Sequence, residues 1–179
     1  MSTTSGKYQL SSVVIRPSPD GSYPYHVKAF LLAHEMMRRE LDLGEAALDS
    51  FQPEKYHWEI KAFHEWLTVF FLPVVRAHHE NEDTYAVPFY TSLGVITPER
   101  HFDDHTTLEG RINKVSSLSR YLVSKLTLDG VIESGKVAEL KSEFSSLSRH
   151  IREHFSEEEI YWPPIVKRYG EVRNLSFIT

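Results

Sequence analysis

Two short stretches of the chain carry the same ionisable residues at the same spacing. Residues 78–88 read HHENEDTYAVP, and residues 154–164 read HFSEEEIYWPP. They align without a gap, so four residue types recur at the same four offsets, in the pairs His78 and His154, Glu82 and Glu158, Tyr85 and Tyr161, Pro88 and Pro164. A further histidine precedes each stretch, His34 in LLAHEMM and His105 in FDDHTTL. The first half of the chain is therefore repeated in the second.

The histidine and the glutamate of each stretch have the spacing of neighbours on one face of a helix. Four residues turn an α-helix by about 400°, so the two side chains lie about 40° apart and roughly 6 Å along the axis. Both can reach one metal centre. Because a buried carboxylate is costly unless it is paired or coordinates a cation, carboxylates on an apolar face indicate a bound metal. Without metal we expect these carboxylates to take up protons or water to enter the core.

The absence of cysteine limits the metal chemistry. Disulfides, iron–sulfur clusters and thiolate zinc sites are excluded, which leaves histidine and carboxylate as the strong ligands. The repeated histidines and carboxylates are too many for one catalytic zinc ion, whereas mixed nitrogen and oxygen ligation suits iron, with manganese or zinc less favoured. We therefore expect two metal ions bridged by Glu82 and Glu158.

Four amphipathic segments with helical periodicity contain these residues. They run from about Pro24 to Leu43, from about Pro53 toward Phe89, from about Thr97 to Asp129, and from about Lys136 to Gly170. We expect Gly44 to loosen or end the first helix and Pro73 to kink the second. No stretch reads convincingly as a strand. The pattern predicts an all-α fold, an up-down-up-down antiparallel four-helix bundle.

Length and composition predict one globular domain. The 179 residues are 41% hydrophobic and 25% charged, which is sufficient for one well-buried core. We expect an irregular N-terminal arm over residues 1–23, the bundle over 24–170 and a C-terminal tail over 171–179. A net charge of −5 provides no basic surface for nucleic acid, and the longest apolar run, LTVFFLPVV, is too short to span a membrane. With no signal peptide, we expect a cytoplasmic protein.

The ligand pattern resembles that of the hemerythrin-like family, the HHE cation-binding domain. That family has a histidine in helix one, His-x-x-x-Glu in helix two, a histidine in helix three and His-x-x-x-Glu in helix four. All six positions are filled here, over about residues 24 to 169. The resemblance implies a di-iron site with two bridging glutamates and the ligands His34, His78, Glu82, His105, His154 and Glu158.

Two departures from the simple pattern bear on function. Oxygen-carrying hemerythrins have a further histidine one turn before the helix-three ligand, and His101 lies there in HFDDH. His101 is therefore a candidate seventh ligand, although its place near the start of helix three leaves its orientation open. In helix four the carriers resemble His-x-x-x-x-Asp, whereas here both Glu158 and Glu159 are available to bridge. We expect the other histidines to be structural, solvated or outside the ligand set: His57, His64, His79 and His150.

Several functions are compatible with such a site. We expect a non-enzymatic di-iron protein that binds oxygen, iron or both, because His101 is a possible fifth histidine and no organic-substrate pocket is evident. A di-iron oxidoreductase acting on peroxide or nitric oxide is the first alternative. A structural helical bundle with adventitious metal is the second. The expected partner is accordingly a small ligand such as O₂, peroxide or NO.

Overall fold

The structure, a computed structural model, describes residues 24–175 and is helical in its regular elements. Four long helices follow one another: α1 (Tyr25–Ser50), α2 (58–92), α3 (Glu99–Asp129) and α4 (Ser134–Leu175). The described residues contain no strand, which confirms the all-α prediction. None of the helices between residues 24 and 175 has the length and apolar character needed to cross a membrane. The predicted arm, 1–23, lies outside the described residues, and so does the end of the predicted tail, 176–179.

Helix α1 continues through Gly44, where we expected it to loosen or end. Gly44 is buried, and a Cβ atom added there would lie 2.6 Å from the ring of Phe144 and 2.7 Å from that of Trp66. A glycine inside a helix costs about 0.5–1 kcal/mol relative to alanine. Here that cost is offset because the missing side chain lets two aromatic rings pack directly against the helix backbone.

Helix α2 contains two π-helical turns, and each lies just before a proline. The turns are Trp66–Phe71 and Glu82–Ala86, and the prolines are Pro73 and Pro88. Proline donates no N–H bond, and its ring crowds the carbonyl group four residues earlier. A π turn widens the backbone at that point, so the helical path continues. Pro73 therefore follows an irregular turn but does not end the helix.

The predicted ends of the helices are confirmed at some positions and wrong at others. Helix α2 begins at Trp58 and not near Pro53, because the preceding segment forms a turn in which Tyr56 N–H donates to the Gln52 carbonyl at 2.8 Å. Helix α4 continues past the predicted end at Gly170 to Leu175. Helix α3 ends as predicted.

Gly130 ends α3 for a clear conformational reason. Its φ is 67°, in the left-handed region that glycine adopts without steric cost, and its N–H donates to the Leu126 carbonyl at 3.2 Å. At the other end, His101 N–H donates to the Pro98 carbonyl at 3.0 Å. The first turn of α3, which carries His101, is therefore closed by a backbone hydrogen bond.

The described helices divide into two compact units. The smaller unit contains α1 up to Met36 and α4 from Glu153, and the larger unit is Met37–Arg152. In the larger unit the core is rich in aromatic rings. The ring centroids of Trp66 and Phe71 are 5.1 Å apart, and those of Phe63 and Phe144 are 5.5 Å apart.

We predict that Gly44→Ala lowers the free energy of unfolding by about 1–3 kcal/mol, because the new methyl group must displace the ring of Phe144 or Trp66. Thermal denaturation measures the change. Gly110→Ala is the matched control, since Gly110 is also helical and a Cβ there meets nothing within 4 Å. Alanine at Gly110 should leave stability unchanged or raise it. Equal responses at the two positions would contradict the packing role of Gly44.

Candidate metal centre

In the smaller unit, one buried glutamate lies between two histidines. Glu158 Oε2 is 3.3 Å from His34 Nε2, and Glu158 Oε1 is 3.3 Å from His154 Nε2. The exposed fractions of His34, His154 and Glu158 are 0%, 2% and 3%. Each oxygen of one carboxylate therefore faces a different imidazole. His154 and Glu158 have the predicted four-residue spacing along α4, and His34 reaches them from α1.

Glu159 lies on the other side of the His34 ring. Its Oε1 atom is 2.9 Å from His34 Nδ1, and its side chain is also buried. A carboxylate can only accept a hydrogen bond, so Nδ1 carries the proton and donates it. Glu158 is therefore the carboxylate placed between two imidazoles. Glu159 accepts a hydrogen bond from the other nitrogen of the His34 ring. We call these four residues the α1–α4 group.

The larger unit contains the same arrangement, built from α2 and α3. Glu82 Oε1 is 3.3 Å from His78 Nε2, and Glu82 Oε2 is 3.6 Å from His105 Nε2. Asp83 lies behind His105, with its two carboxylate oxygens 3.0 and 3.1 Å from Nδ1. Glu82 and His105 are buried, and His78 is half-buried. We call His78, Glu82, Asp83 and His105 the α2–α3 group.

Two more buried histidines lie beside His105. The ring centroid of His101 is 4.2 Å from that of His105, and the centroid of His79 is 4.5 Å from it. Their exposed fractions are both 8%. Candidate ligand atoms of His79, Glu82 and His105 lie within 4.8 Å of one another. The structure therefore brings predicted His101 to the α2–α3 group, together with His79, which we had expected to be structural or solvated.

A signal for His79 was present in the sequence. It lies three residues before Glu82, and a three-residue step also places two side chains on one helix face. The other histidines have different partners. His150 Nε2 is 3.7 Å from Asp104 Oδ1, and His64 Nδ1 is 2.9 Å from Ser119 Oγ.

The two tyrosines of the sequence repeat do not have equivalent positions in the structure. Tyr85 is 67% exposed, whereas Tyr161 is half-buried. Tyr85 lies within the π turn Glu82–Ala86, and Tyr161 lies in an α-helical segment. A π turn takes more residues than an α turn and so changes the direction of the side chains that follow. Equal spacing in sequence therefore does not give equal placement here.

Charge pairing keeps the carboxylate of the α1–α4 group ionised. Burial raises the pKa of Glu158, but hydrogen bonds and charge interactions with His154 and His34 bring it well below its ordinary 4.5. Burial lowers the pKa of His34, but the bonds to Glu158 and Glu159 raise it above its ordinary 6.5. Of the two expected consequences of metal-free burial, proton uptake is therefore wrong for Glu158, because its imidazole neighbours favour the ionised form.

The donor chemistry of both groups fits a cation. Buried histidine and glutamate side chains come close enough together in this chain to hold a metal ion. Imidazole nitrogen and carboxylate oxygen bind several first-row divalent metals, so the residues present do not select one metal. The hydrogen bonds to Nδ1 of His34 and His105 are the kind that orients metal-binding histidines.

Neither a family model nor a curated protein nor a solved structure matches this chain. The likeness to hemerythrins therefore rests on the ligand pattern in the sequence.

We predict that the metal-free protein is most stable in mildly acidic solution. Because its pKa is raised, His34 contributes a stabilisation that is fully present below pH 6.5 and is lost as the pH rises through the raised pKa. The lowered pKa of Glu158 gives stability that is present above 4.5 and is lost as the pH falls through the lowered value. Stability should thus be highest between these ordinary values.

Thermal melting of chelator-treated protein across the acid-to-alkaline range tests this pH dependence. His34→Gln is the matched variant, because it removes the titrating ring and should flatten the alkaline decline. A melting temperature that climbs steadily into alkaline solution would contradict the prediction.

Proposed function

We propose that this chain is a non-heme di-iron protein that binds oxygen, iron or both in a hemerythrin-like helical bundle. One observation carries the proposal. In each unit a single buried glutamate directs its two oxygens at the Nε2 atoms of two different histidines. A carboxylate disposed in this way suits a bridge between two ions better than the chelation of one.

In this proposal the chain would hold two iron ions with ligands from the α1–α4 group and from the α2–α3 group. Glu82 and Glu158 are the bridging carboxylates, and the histidine ligands are His34, His78, His105 and His154. Mixed imidazole and carboxylate ligation without thiolate suits iron but does not exclude manganese or zinc, so iron is part of the proposal. The repeat in the sequence supports an even division of the ligands between the two ions, because each half of the chain contributes the same donor types.

We further propose that the helices form an up-down-up-down antiparallel bundle. Contacts inside the larger unit support this, because residue numbers fall along one helix as they rise along its neighbour. Between α2 and α3 the paired residues are His64 with Ser119, Arg76 with Glu109, and Asp83 with His105. Between α3 and α4 they are Lys114 with Glu143 and Arg111 with Ser146.

Iron held by these ligands would supply a coordination position at which O₂ or peroxide can bind. The residues of the chain exclude water by burial, keep Glu158 ionised and fix the imidazole rings. His101 favours binding over turnover, because a further imidazole beside His105 would leave fewer open positions there. A site without His101 would favour the alternative function, turnover of peroxide or nitric oxide.

Metal analysis combined with optical spectra tests the function directly. We expect two iron ions per chain, and absorption bands that change on exposure to oxygen and return when oxygen is removed. Consumption of peroxide without reversible oxygenation would favour the oxidoreductase. Protein that retains one ion or fewer per chain would contradict the di-iron proposal.

We predict that His78→Ala and His154→Ala each weaken iron binding by more than about tenfold, because each removes one of the two imidazoles that face a bridging glutamate. Iron affinity is measured by competition with a chelator. His57→Ala is the control, because His57 is exposed and belongs to neither group. A histidine variant with wild-type affinity would remove that residue from the ligand set.

We predict that His101→Leu reduces reversible oxygenation and increases peroxide consumption, because loss of an imidazole opens one coordination position. Metal content, oxygenation and peroxide consumption are measured on the same preparation. His150→Leu serves as control, since His150 faces Asp104 and lies outside both groups. If His101→Leu matched the wild type in all three assays, the preference for binding over turnover would lose its basis.

A further inference from the structure

The sequence repeat extends one residue beyond the proposed ligands. Asp83 follows Glu82, and Glu159 follows Glu158. When the stretches 78–88 and 154–164 are superimposed, both copies are acidic at two successive offsets only, that of the bridging glutamate and the one after it. The hemerythrin-like pattern described above gives Asp83 no role and leaves Glu159 only as an alternative bridge.

The second acid has the same contact in both units. Glu159 Oε1 lies 2.9 Å from Nδ1 of His34, and the Asp83 oxygens lie 3.0 and 3.1 Å from Nδ1 of His105. In each case the histidine and the acid lie on different helices. His34 is on α1 and Glu159 on α4, whereas His105 is on α3 and Asp83 on α2. Adjacent residues on a helix are about 100° apart. One acid can therefore face Nε2 of the incoming ring while the next faces Nδ1.

These contacts decide which nitrogen of the ring can bind a metal. A neutral imidazole carries one proton, and only the unprotonated nitrogen has a lone pair to donate. Each ring faces a carboxylate at both nitrogens, but the one at Nδ1 is nearer, at 2.9 Å against 3.3 Å for His34 and 3.0 Å against 3.6 Å for His105. In the neutral ring the proton is therefore held at Nδ1, and Nε2 is left available on the side of the bridging glutamate. Without the acid, the ring can adopt the other tautomer or rotate, and an N–H bond would then point toward the metal.

We propose that Asp83 and Glu159 are a matched pair of positioning residues, each of which fixes the tautomer and orientation of the histidine contributed by the facing helix. The inference rests on the proposed function and adds two residues that act through His105 and His34. Glu159 is then not a bridge, although its spacing from His154 matches that of the aspartate in oxygen carriers.

The two members of the pair differ in exposure, and this predicts unequal effects. The Glu159 side chain is 1% exposed, whereas that of Asp83 is 43% exposed. A hydrogen bond to a buried charge is less screened and is harder for water to replace. Loss of Glu159 should therefore disturb His34 more than loss of Asp83 disturbs His105.

Cobalt binding measures the effect on the metal site, with Co²⁺ as an optically visible probe. Glu159→Leu should weaken Co²⁺ binding by about 10–100-fold, the usual effect of removing a partner of a metal-binding histidine. Asp83→Leu should weaken it less. Glu159→Gln keeps the shape and an acceptor oxygen, so it should fold and should fall between Glu159→Leu and wild type. Glu80→Leu is the control, an exposed acid in the same stretch as Asp83.

Nitrogen NMR of the histidine rings tests the positioning role without metal. In metal-free protein, at a pH where the rings are neutral, His34 and His105 should both carry the proton on Nδ1. Glu159→Leu should mix the tautomers of His34 and leave His105 unchanged, and Asp83→Leu should do the reverse. A general loss of structure would instead alter both rings together.

The outcomes separate this inference from the proposed function. If both variants kept the Nδ1 proton and bound Co²⁺ as tightly as wild type, the positioning role would be overturned and the metal site would stand. If wild type showed the expected tautomers and their selective loss but bound neither Co²⁺ nor iron, the positioning role would stand and the di-iron proposal would fail.

Discussion

The cost of burying a carboxylate among apolar side chains governs this structure. Glu82 and Glu158 are 7% and 3% exposed, and each would be unstable as an isolated charge in an apolar interior. Each is compensated in the same way, by two imidazoles that approach its two oxygens. One imidazole lies one turn earlier on the same helix, and the other has to come from a neighbouring helix. The requirement for charge compensation therefore specifies which helices must meet.

Apolar packing makes these polar arrangements possible. The His34 ring lies parallel to Phe155, with centroids 4.1 Å apart and an interplanar angle of 2°. In the larger unit, Trp66 packs near Gly44 and directs Nε1 to Glu40 at 2.9 Å. Such contacts hold the helices at fixed separations without adding charge. Buried polar groups are tolerated where a well-packed core restricts the alternatives open to the chain.

The sequence predicted features that depend on neighbours along one helix. The four-residue steps from His78 to Glu82 and from His154 to Glu158 are local, so helical periodicity was sufficient to find them. The all-α class and the end of α3 at Gly130 were predictable for the same reason. Contacts with another helix could not be derived from periodicity, and His34 and His105 entered the ligand set only through the family resemblance. The position of His34 then shows that Glu158, and not Glu159, lies between two imidazoles.

Local packing and backbone geometry account for two further differences from the sequence pattern. Gly44 was expected to loosen or end α1 because glycine lowers helix propensity, but the packing of Phe144 and Trp66 requires a glycine there. Tyr85 was matched to Tyr161 because the two stretches align without a gap. The π turn Glu82–Ala86 places Tyr85 toward solvent, and no periodicity argument detects such a turn. Pro88, two residues after the turn, was the sequence feature that could have indicated it.

The separation of the contacts along the chain has a consequence for folding order. His105 meets Asp83 across 22 residues, whereas His34 meets Glu159 across 125. Closing the longer loop costs more chain entropy, and it requires a residue that is made 125 positions after His34. The α2–α3 group can therefore assemble on a growing chain, whereas the contact of His34 with Glu159 requires that α4 has been synthesised. The α1–α4 contacts join distant parts of the sequence, so on a growing chain they form after the contact between Asp83 and His105 becomes possible.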